Sequence, residues 1–334
     1  MNSALIDSPG TTTVISEEQL AFFHREGYLV VPDIFADHDL QPVIDEITSQ
    51  LDDLARAAVK AGTLSRTYEE FDFDHRLAMI NRQTPEIAKA MWNTNVVLPS
   101  FFDLMRTPRL LDAVERLCGP EIIASSVYRL RPKVPSHTQS AVPWHQDSGY
   151  FEPFCDKGLV LTVWLPLVDA TREKGCMWVL PRQHKSKVFT HRAAEGQPYL
   201  EIPPEALPAG DAVCCPVPKG GALLMTNLTP HASFENNTDM VRWSMDLRYQ
   251  SAALPTNAKI TRLPGEIVGR PEPTGSDDAP VACFPPEPDF LVRSRLRPTE
   301  VMSNQQDFLR LRREHVTRPV TDRWREDWKM GMKV

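Results

Sequence analysis

Two periods divide the chain. From about residue 16 to 120 the apolar positions recur at helical spacing, and from about 121 to 250 they alternate. The first helical segment is SEEQLAFFHREG: Ser16 and Gln19 form a capping box, Leu20 and Phe23 are apolar at helical spacing, and Gly27 supplies a stop. A short strand, GYLVVPDIF, follows. In DHDLQPVIDEITSQLDDLARAAVKAG, the residues Leu40, Val43, Ile44, Ile47, Leu51 and Leu54 mark a long amphipathic helix ending at Gly62. TPEIAKAMWNT and TPRLLDAVERLCG each open with Thr as candidate cap and Pro at the first helical position. Residues 1–15 read as a loose polar tail, and TYEEFDFDHRLAMINRQ as loop.

The alternating part offers strands at 122–130, 159–167, 176–180, 221–226 and 242–250. Helices followed by many strands predict an α+β fold, a helical layer packed on an antiparallel sandwich or barrel. One domain over 16–334 is expected, with a helical layer to 120, a β core over 121–250 and a C-terminal extension over 251–334. That extension carries no assignable motif. Its basic stretch from Arg293 to Arg325, with Trp324 and Trp328, reads as a solvated helix face with apolar anchors, and an anionic-substrate role is the alternative.

Composition narrows the class. The 334 residues carry a net charge of −7, which argues against nucleic acid or an anionic membrane as partner. No basic leader with an apolar core and no run of about 20 apolar residues is present, so a cytoplasmic enzyme is expected. Six cysteines show no C-x-x-C pairing, which disfavours a zinc ribbon or a disulfide framework. Prolines concentrate after residue 200, in EIPPEALPAG and GRPEPTGSDDAPVACFPPEPDF, as surface loops.

Candidate chemistry begins at VPWHQDSGYF. His145 and Asp147 stand two apart, and on a strand they project to one side and can grip one ion. Nine histidines and 44 acidic residues make about one such pair expected by chance. A second pair exists, His24 and Glu26, but on a helix those side chains diverge by about 200°. In RWSMDLRYQ, the residues Arg242, Ser244, Asp246 and Arg248 share one face and Trp243, Met245, Leu247 and Tyr249 the other. Two readings stay open: an outer strand with its polar face in water, or a strand lining a charged cavity. Eleven residues earlier stands His231, which a hairpin would carry on a strand neighbouring Arg242. Two imidazoles and one carboxylate are the set that holds Fe(II) on one face and leaves positions for a 2-oxo acid and O2, while an arginine neutralises a distal carboxylate.

WHQD, then LTVWLPLVDATREKGCMWVLPRQHK, then GGALLMTNLTPHASFENNTDMVRWSMDLRY resemble the successive core motifs of the phytanoyl-CoA dioxygenase family, the Fe(II)/2-oxoglutarate oxygenases that include ectoine hydroxylase. The resemblance spans about residues 16 to 250. It implies a double-stranded β-helix (jelly-roll, cupin-like) core. It also implies that His145, Asp147 and His231 bind iron, that Arg242 pairs with the 2-oxoglutarate C5 carboxylate, that Ser233 hydrogen-bonds the co-substrate, and that Trp164 stands beside it. Ser244 either joins that site or hydrogen-bonds a neighbouring strand. PRQHK departs from the family's usual PGSHK, and His184 reads as a structural hydrogen-bonder. Halogenating relatives replace the carboxylate by a small residue; Asp147 fills that position, which implies hydroxylation or another oxidation.

The resemblance leaves the substrate open between a secondary metabolite and an acyl-CoA, and the oligomeric state unread. Trp144, Tyr150, Phe151, Tyr68, Phe71 and Phe73 could wall a pocket, form a lid or cap the core. The competing readings are a cupin-like isomerase or hydrolase using Zn or Mn without 2-oxoglutarate, and a non-catalytic β-sandwich binding protein.

Overall fold

The structure, a computed structural model, describes residues 14–92, 97–125, 129–135, 141–151, 156, 158–194, 199–254 and 289–316. Outside it lie most of the expected N-terminal tail, Cys155, Cys283, the proline-rich segment up to 288, and Trp324 and Trp328. Ile15, assigned to that tail, is fully buried.

Helix α1 (Glu17–Glu26) starts and stops as its sequence dictates. Ser16 Oγ accepts the Gln19 N–H, the Gln19 side chain accepts the Ser16 N–H, and Gly27 closes the helix at φ +86°. Strand β1 (Tyr28–Val31) leads into α2 (Asp37–Lys60), whose buried stripe is Leu40, Val43, Ile44, Ile47, Leu51 and Ala55. The layer is completed by α3 (Phe73–Asn81), α4 (Glu86–Met91), α5 (Ser100–Met105) and α6 (Pro108–Cys118). Helix α3 corrects the loop reading of its segment. Asp72 caps it by accepting the His75 N–H at 3.0 Å, a signal hidden among acidic and aromatic neighbours. Among the described residues no helix is long and apolar enough to cross a membrane.

The β core comprises β2 (Ile122–Ser125), β3 (Arg129–Lys133), β4 (Val142–His145), β5 (Val160–Pro166), β6 (Met177–Val179), β7 (Arg192–Ala193), β8 (Leu200–Glu201), β9 (Val213–Cys215), β10 (Ala222–Thr226), β11 (His231–Ser233) and β12 (Arg242–Ser251). The major antiparallel sheet runs β1-β10-β5-β12-β2 with β3 also paired to β12, and the minor sheet runs β4-β11-β6-β9. This is an α+β fold with a jelly-roll core. The chain beyond 251 returns as β13 (Asp289–Arg293), which pairs with β2 at the sheet edge, and as α7 (Gln305–Val316), whose Phe308 packs 5.1 Å from the Phe102 ring.

Strand β12 positions the site because its two faces differ. Trp243 stacks on Phe73 with ring centroids 4.9 Å apart and donates from Nε1 to the Phe73 carbonyl, and the Tyr249 hydroxyl donates to the Met105 carbonyl. Such buried aromatics contribute about 3–5 kcal/mol each when tested by truncation to Ala. With the apolar face fixed on the helices, Arg242, Asp246 and Arg248 turn into a cavity between the sheets, which overturns the reading of a solvated outer strand. A second correction concerns the hairpin. His231 and Arg242 lie on different sheets, because residues 234–241 carry the chain from one sheet to the other.

Candidate active site

The cavity has a volume of about 380 Å³ and is walled by both sheets. On the minor sheet His231 and His145 are directly opposed Cα partners, with ring centroids 4.2 Å apart. Each ring is oriented by its own strand: His145 Nδ1–H donates to the Pro143 carbonyl at 2.8 Å, and His231 Nδ1–H to the Thr229 carbonyl at 2.9 Å. A carbonyl only accepts, so Nδ1 carries a proton and Nε2 is the nitrogen left to face an ion.

Asp147 is not on the strand. It opens a single 3-10 turn over Asp147–Tyr150, immediately after β4. Gln146 between the two is still extended, at φ −113° and ψ 143°, so the i, i+2 relation survives. The Gln146 side chain is pinned elsewhere, donating to the Leu228 carbonyl and accepting the Phe189 N–H, each at 2.7 Å. One ligand atom from each of His145, Asp147 and His231 lies within 4.8 Å of the others, and all three residues are buried.

Electrostatics suit a cation there. Burial raises the Asp147 carboxyl, but Arg248, with Nη2 at 3.4 Å, together with His231, His145 and the Thr162 hydroxyl, pulls it well below the ordinary carboxylate range. Burial and the neighbouring His231 push His145 well below the usual imidazole value, so it is neutral and able to ligate. Two imidazoles and a carboxylate form a borderline-hard donor set that fits Fe(II).

Across the cavity Arg242 is fully enclosed. Its Nη1 donates to the Gly175 carbonyl at 2.8 Å, its guanidinium lies 5.2 Å from the Trp164 ring centroid, and its buried Nε has no acceptor. Burial lowers it to about 10, against the pull of Asp246. No carboxylate pairs with it among the described residues. A buried cation with an orphaned donor is the half of an ion pair that a ligand carboxylate completes. Ser233 Oγ, on the minor-sheet strand β11, accepts from Lys133 Nζ of the major sheet at 2.9 Å, while Ser244 Oγ is buried without a partner and does not reach a neighbouring strand.

Sequence reasoning missed three cations. Arg129, Arg131 and Lys133 alternate along β3, and their register partners on β12 are Asp246, Ser244 and Arg242. The period-two pattern R-x-R-x-K was the available signal. Lys133 is buried and donates also to the Ser233 and Phe234 carbonyls; burial, then Arg242 and Arg131, lower its ammonium well below the usual lysine value.

The remaining candidates separate. Tyr150 lines the cavity and Phe151 lies beneath Arg248, 4.8 Å from its guanidinium. Trp144 packs edge-on against Phe234, whereas Tyr68, Phe71 and Phe73 belong to the helical layer and its core. His184 Nε2–H donates to the His24 carbonyl, and Glu26 pairs with Arg25 and Arg182, so His24 and Glu26 hold no common ion. The end of α1 nevertheless touches the site: Thr229 Oγ1 donates to the Gly27 carbonyl at 2.6 Å, and the Thr229 carbonyl is the one that orients His231.

Comparison with known proteins places these features in context. The family model described as phytanoyl-CoA dioxygenase matches residues 23–244. The peroxisomal phytanoyl-CoA dioxygenase of Rattus norvegicus is 24% identical over 244 residues, covering 72% of this chain and 69% of that protein. A Stutzerimonas stutzeri protein named "Probable alpha-ketoglutarate-dependent hypophosphite dioxygenase" is 24% identical over 246 residues, 72% of this chain and 79% of its own. Among solved structures, the apo form of the non-heme monooxygenase ThoJ superposes with a TM-score of 0.53 at 18% identity, covering 93% of this chain and 99% of that one, a likeness of fold.

Proposed function

We propose, since the chain belongs to the phytanoyl-CoA dioxygenase family and is an Fe(II)- and 2-oxoglutarate-dependent dioxygenase, that it hydroxylates an unactivated C–H bond of a small molecule. His145, Asp147 and His231 would hold the iron, and Arg242, assisted by Ser233 and Trp164, would hold the co-substrate. The single observation that carries the reading is Arg242. A buried guanidinium with no carboxylate partner among the described residues, facing a cavity whose opposite wall gathers two imidazoles and one carboxylate, is costly unless a ligand anion completes it.

When bound, Fe(II) and 2-oxoglutarate supply the oxidising chemistry: O2 is consumed, 2-oxoglutarate leaves as succinate and CO2, and the second oxygen atom enters the substrate C–H bond. The protein's own residues bind, orient and exclude water. Arg248 and Thr162 hold the Asp147 carboxylate ionised and in place, so the position that halogenating relatives vacate is filled, which favours hydroxylation. Enclosure by Tyr150, Trp164 and Met225 keeps bulk water from the reacting centre. A cupin-like hydrolase using Zn or Mn gives Arg242 and Lys133 no role, so the pair weighs against it.

Anaerobic titration of the protein with Fe(II) and 2-oxoglutarate tests the assignment. The expected result is one equivalent of each and the weak visible charge-transfer band of an Fe(II)–2-oxo acid chelate. Binding of Fe(II) with no band at saturating 2-oxoglutarate would overturn it. A screen of candidate metabolites and acyl-CoA thioesters for coupled succinate release would then identify the substrate.

A further inference from the structure

Four of the six cysteines, Cys118, Cys176, Cys214 and Cys215, lie among the described residues as free thiols. Two of them meet. Cys176 Sγ stands 3.3 Å from Cys214 Sγ, although the residues are 38 positions apart, so no C-x-x-C spacing announces the pair.

The minor sheet makes the contact. Strands β6 and β9 run antiparallel, with Trp178 opposite Cys214 and Met177 opposite Cys215. Cys176 ends the turn that enters β6: the Gly175 N–H donates to the Arg172 carbonyl and the Cys176 N–H to the Thr171 carbonyl, each at 3.1 Å. Gly175 takes φ +72°, and a Cβ there would stand 2.5 Å from the Phe234 carbonyl oxygen, so glycine is required where the chain bends to deliver Cys176. Alternation separates the two neighbours on β9. Cys214 takes the side of Cys176, and Cys215 the opposite side with Met177.

The paired sulfurs differ in access. Cys176 is fully buried, and Cys214 is partly open. Burial, then the contact with Cys214, push the Cys176 thiol up to about 12, while Arg242 pulls the other way. The proton of the S–H···S contact therefore stays on Cys176, and Cys214 is the sulfur that an oxidant from solvent reaches.

From this arrangement we infer that Cys176 and Cys214 are a redox-active dithiol, closed to a disulfide by a peroxide and reopened by a thiol reductant, with Cys214 as the entry sulfur. The Cys214 sulfur attacks the O–O bond, which breaks to give a sulfenic acid and release water or an alcohol. The Cys176 sulfur then forms the S–S bond and displaces the sulfenic oxygen as water. Two electrons pass from the pair to the peroxide, and the two thiol protons pass to its oxygens. A partner already in contact favours this condensation over further oxidation. Closing the sulfurs to about 2.05 Å needs only rotation about the two Cα–Cβ bonds. The bond joins the ends of the excursion over residues 177–213, which brings Tyr199 to the cavity wall.

The test treats the full chain with hydrogen peroxide under native conditions, with a chelator present so that iron does not react, and counts thiols in denaturant. The expected result is the loss of two of the six thiols, a reducible link between the tryptic peptides that carry Cys176 and Cys214, and recovery of all six in dithiothreitol. Cys215 shares a peptide with Cys214. Cys215→Ser should therefore keep the link, and Cys214→Ser should lose it and leave Cys176 reduced. An unchanged thiol count, a sulfinic acid at Cys214 without a link, or a link that survives in Cys214→Ser would overturn the proposal. The wild-type count and peptide map stand without either variant. Neither depends on Fe(II) or 2-oxoglutarate, so the outcome is separate from the cofactor reading.

Discussion

Lys133 and Arg242 are register partners on adjacent antiparallel strands, and their charges meet at the same end of the cavity. Two buried cations side by side repel, and the protein tolerates them because neutral carbonyls and a hydroxyl solvate them in part. A dianion bound between them would offset that repulsion.

Arg242→Leu separates affinity from stability. Deleting one partner of a buried charge pair costs roughly 3–5 kcal/mol, which at about 1.4 kcal/mol per decade is two to four decades in 2-oxoglutarate affinity. The expected outcome is that loss with Fe(II) stoichiometry unchanged, while the ligand-free protein loses little stability because the repulsion with Lys133 is removed. Equilibrium titration and urea midpoints measure both; a 2-oxoglutarate Kd that moves less than tenfold would return Arg242 to a structural role.

Lys133→Met tests the cation that sequence reasoning passed over. It removes a charge beside Arg242 and the hydrogen bond that orients Ser233. Hydrogen bonds to charged groups contribute about 1.5–3 kcal/mol, so a weakening of 2-oxoglutarate binding by one to two decades is expected. Fe(II) affinity should hold, since the hydrogen bonds of Lys133 go to Ser233 and Phe234 and not to His145, Asp147 or His231, the proposed ligands, and competition with a colorimetric chelator measures it.

Acidification should unfold the metal-free protein through His145. Its folded pKa is depressed by burial and by His231, so the unfolded state binds the proton more readily. The contribution is full above the unfolded value of about 6.5 and is lost as pH falls below it. Asp147, also depressed in the folded state, adds a second loss as pH falls below about 4. Urea midpoints of the chelator-treated protein should decline from pH 7 to 5, and His145→Asn should flatten that part of the curve.

His24→Ala combined with Glu26→Ala removes an H-x-E pair of the same spacing as His145 and Asp147. The variant should bind one equivalent of Fe(II) and consume 2-oxoglutarate at the wild-type rate. Its cost is the two ion pairs of Glu26 with exposed arginines, about 1 kcal/mol in total. A lost equivalent of iron would move the metal to the first helix.

What could be read from the sequence follows from how local each feature is. The Ser16–Gln19 box, the Gly27 stop and the stripe of α2 are set by residues within a few positions of one another, and they stand where the pattern places them. The two faces of β12 were legible as alternation, but which face meets water depended on Phe73 and Met105, more than 130 residues away. The hairpin expectation failed for a similar reason: the segment after Ser233 is short enough for one sheet, and only the packing sends it to the other. Lys133 escaped because its meaning comes from its partner across the sheet, Arg242, and not from its neighbours in the chain. Strand β13, more than 150 residues after its partner β2, gave no local signal at all.

Gly27 joins the two ends of the story. A Cβ there would stand 2.3 Å from the His184 ring and 2.9 Å from Thr229 Oγ1, and its φ of +86° already excludes most side chains. The carbonyl of this residue receives the Thr229 hydroxyl, and the Thr229 carbonyl fixes the His231 ring. The terminus of α1 thus acts as a datum for the bearing of an imidazole two hundred residues downstream. The helix that displays a decoy H-x-E pair is the one that keeps an imidazole of the candidate metal site aligned.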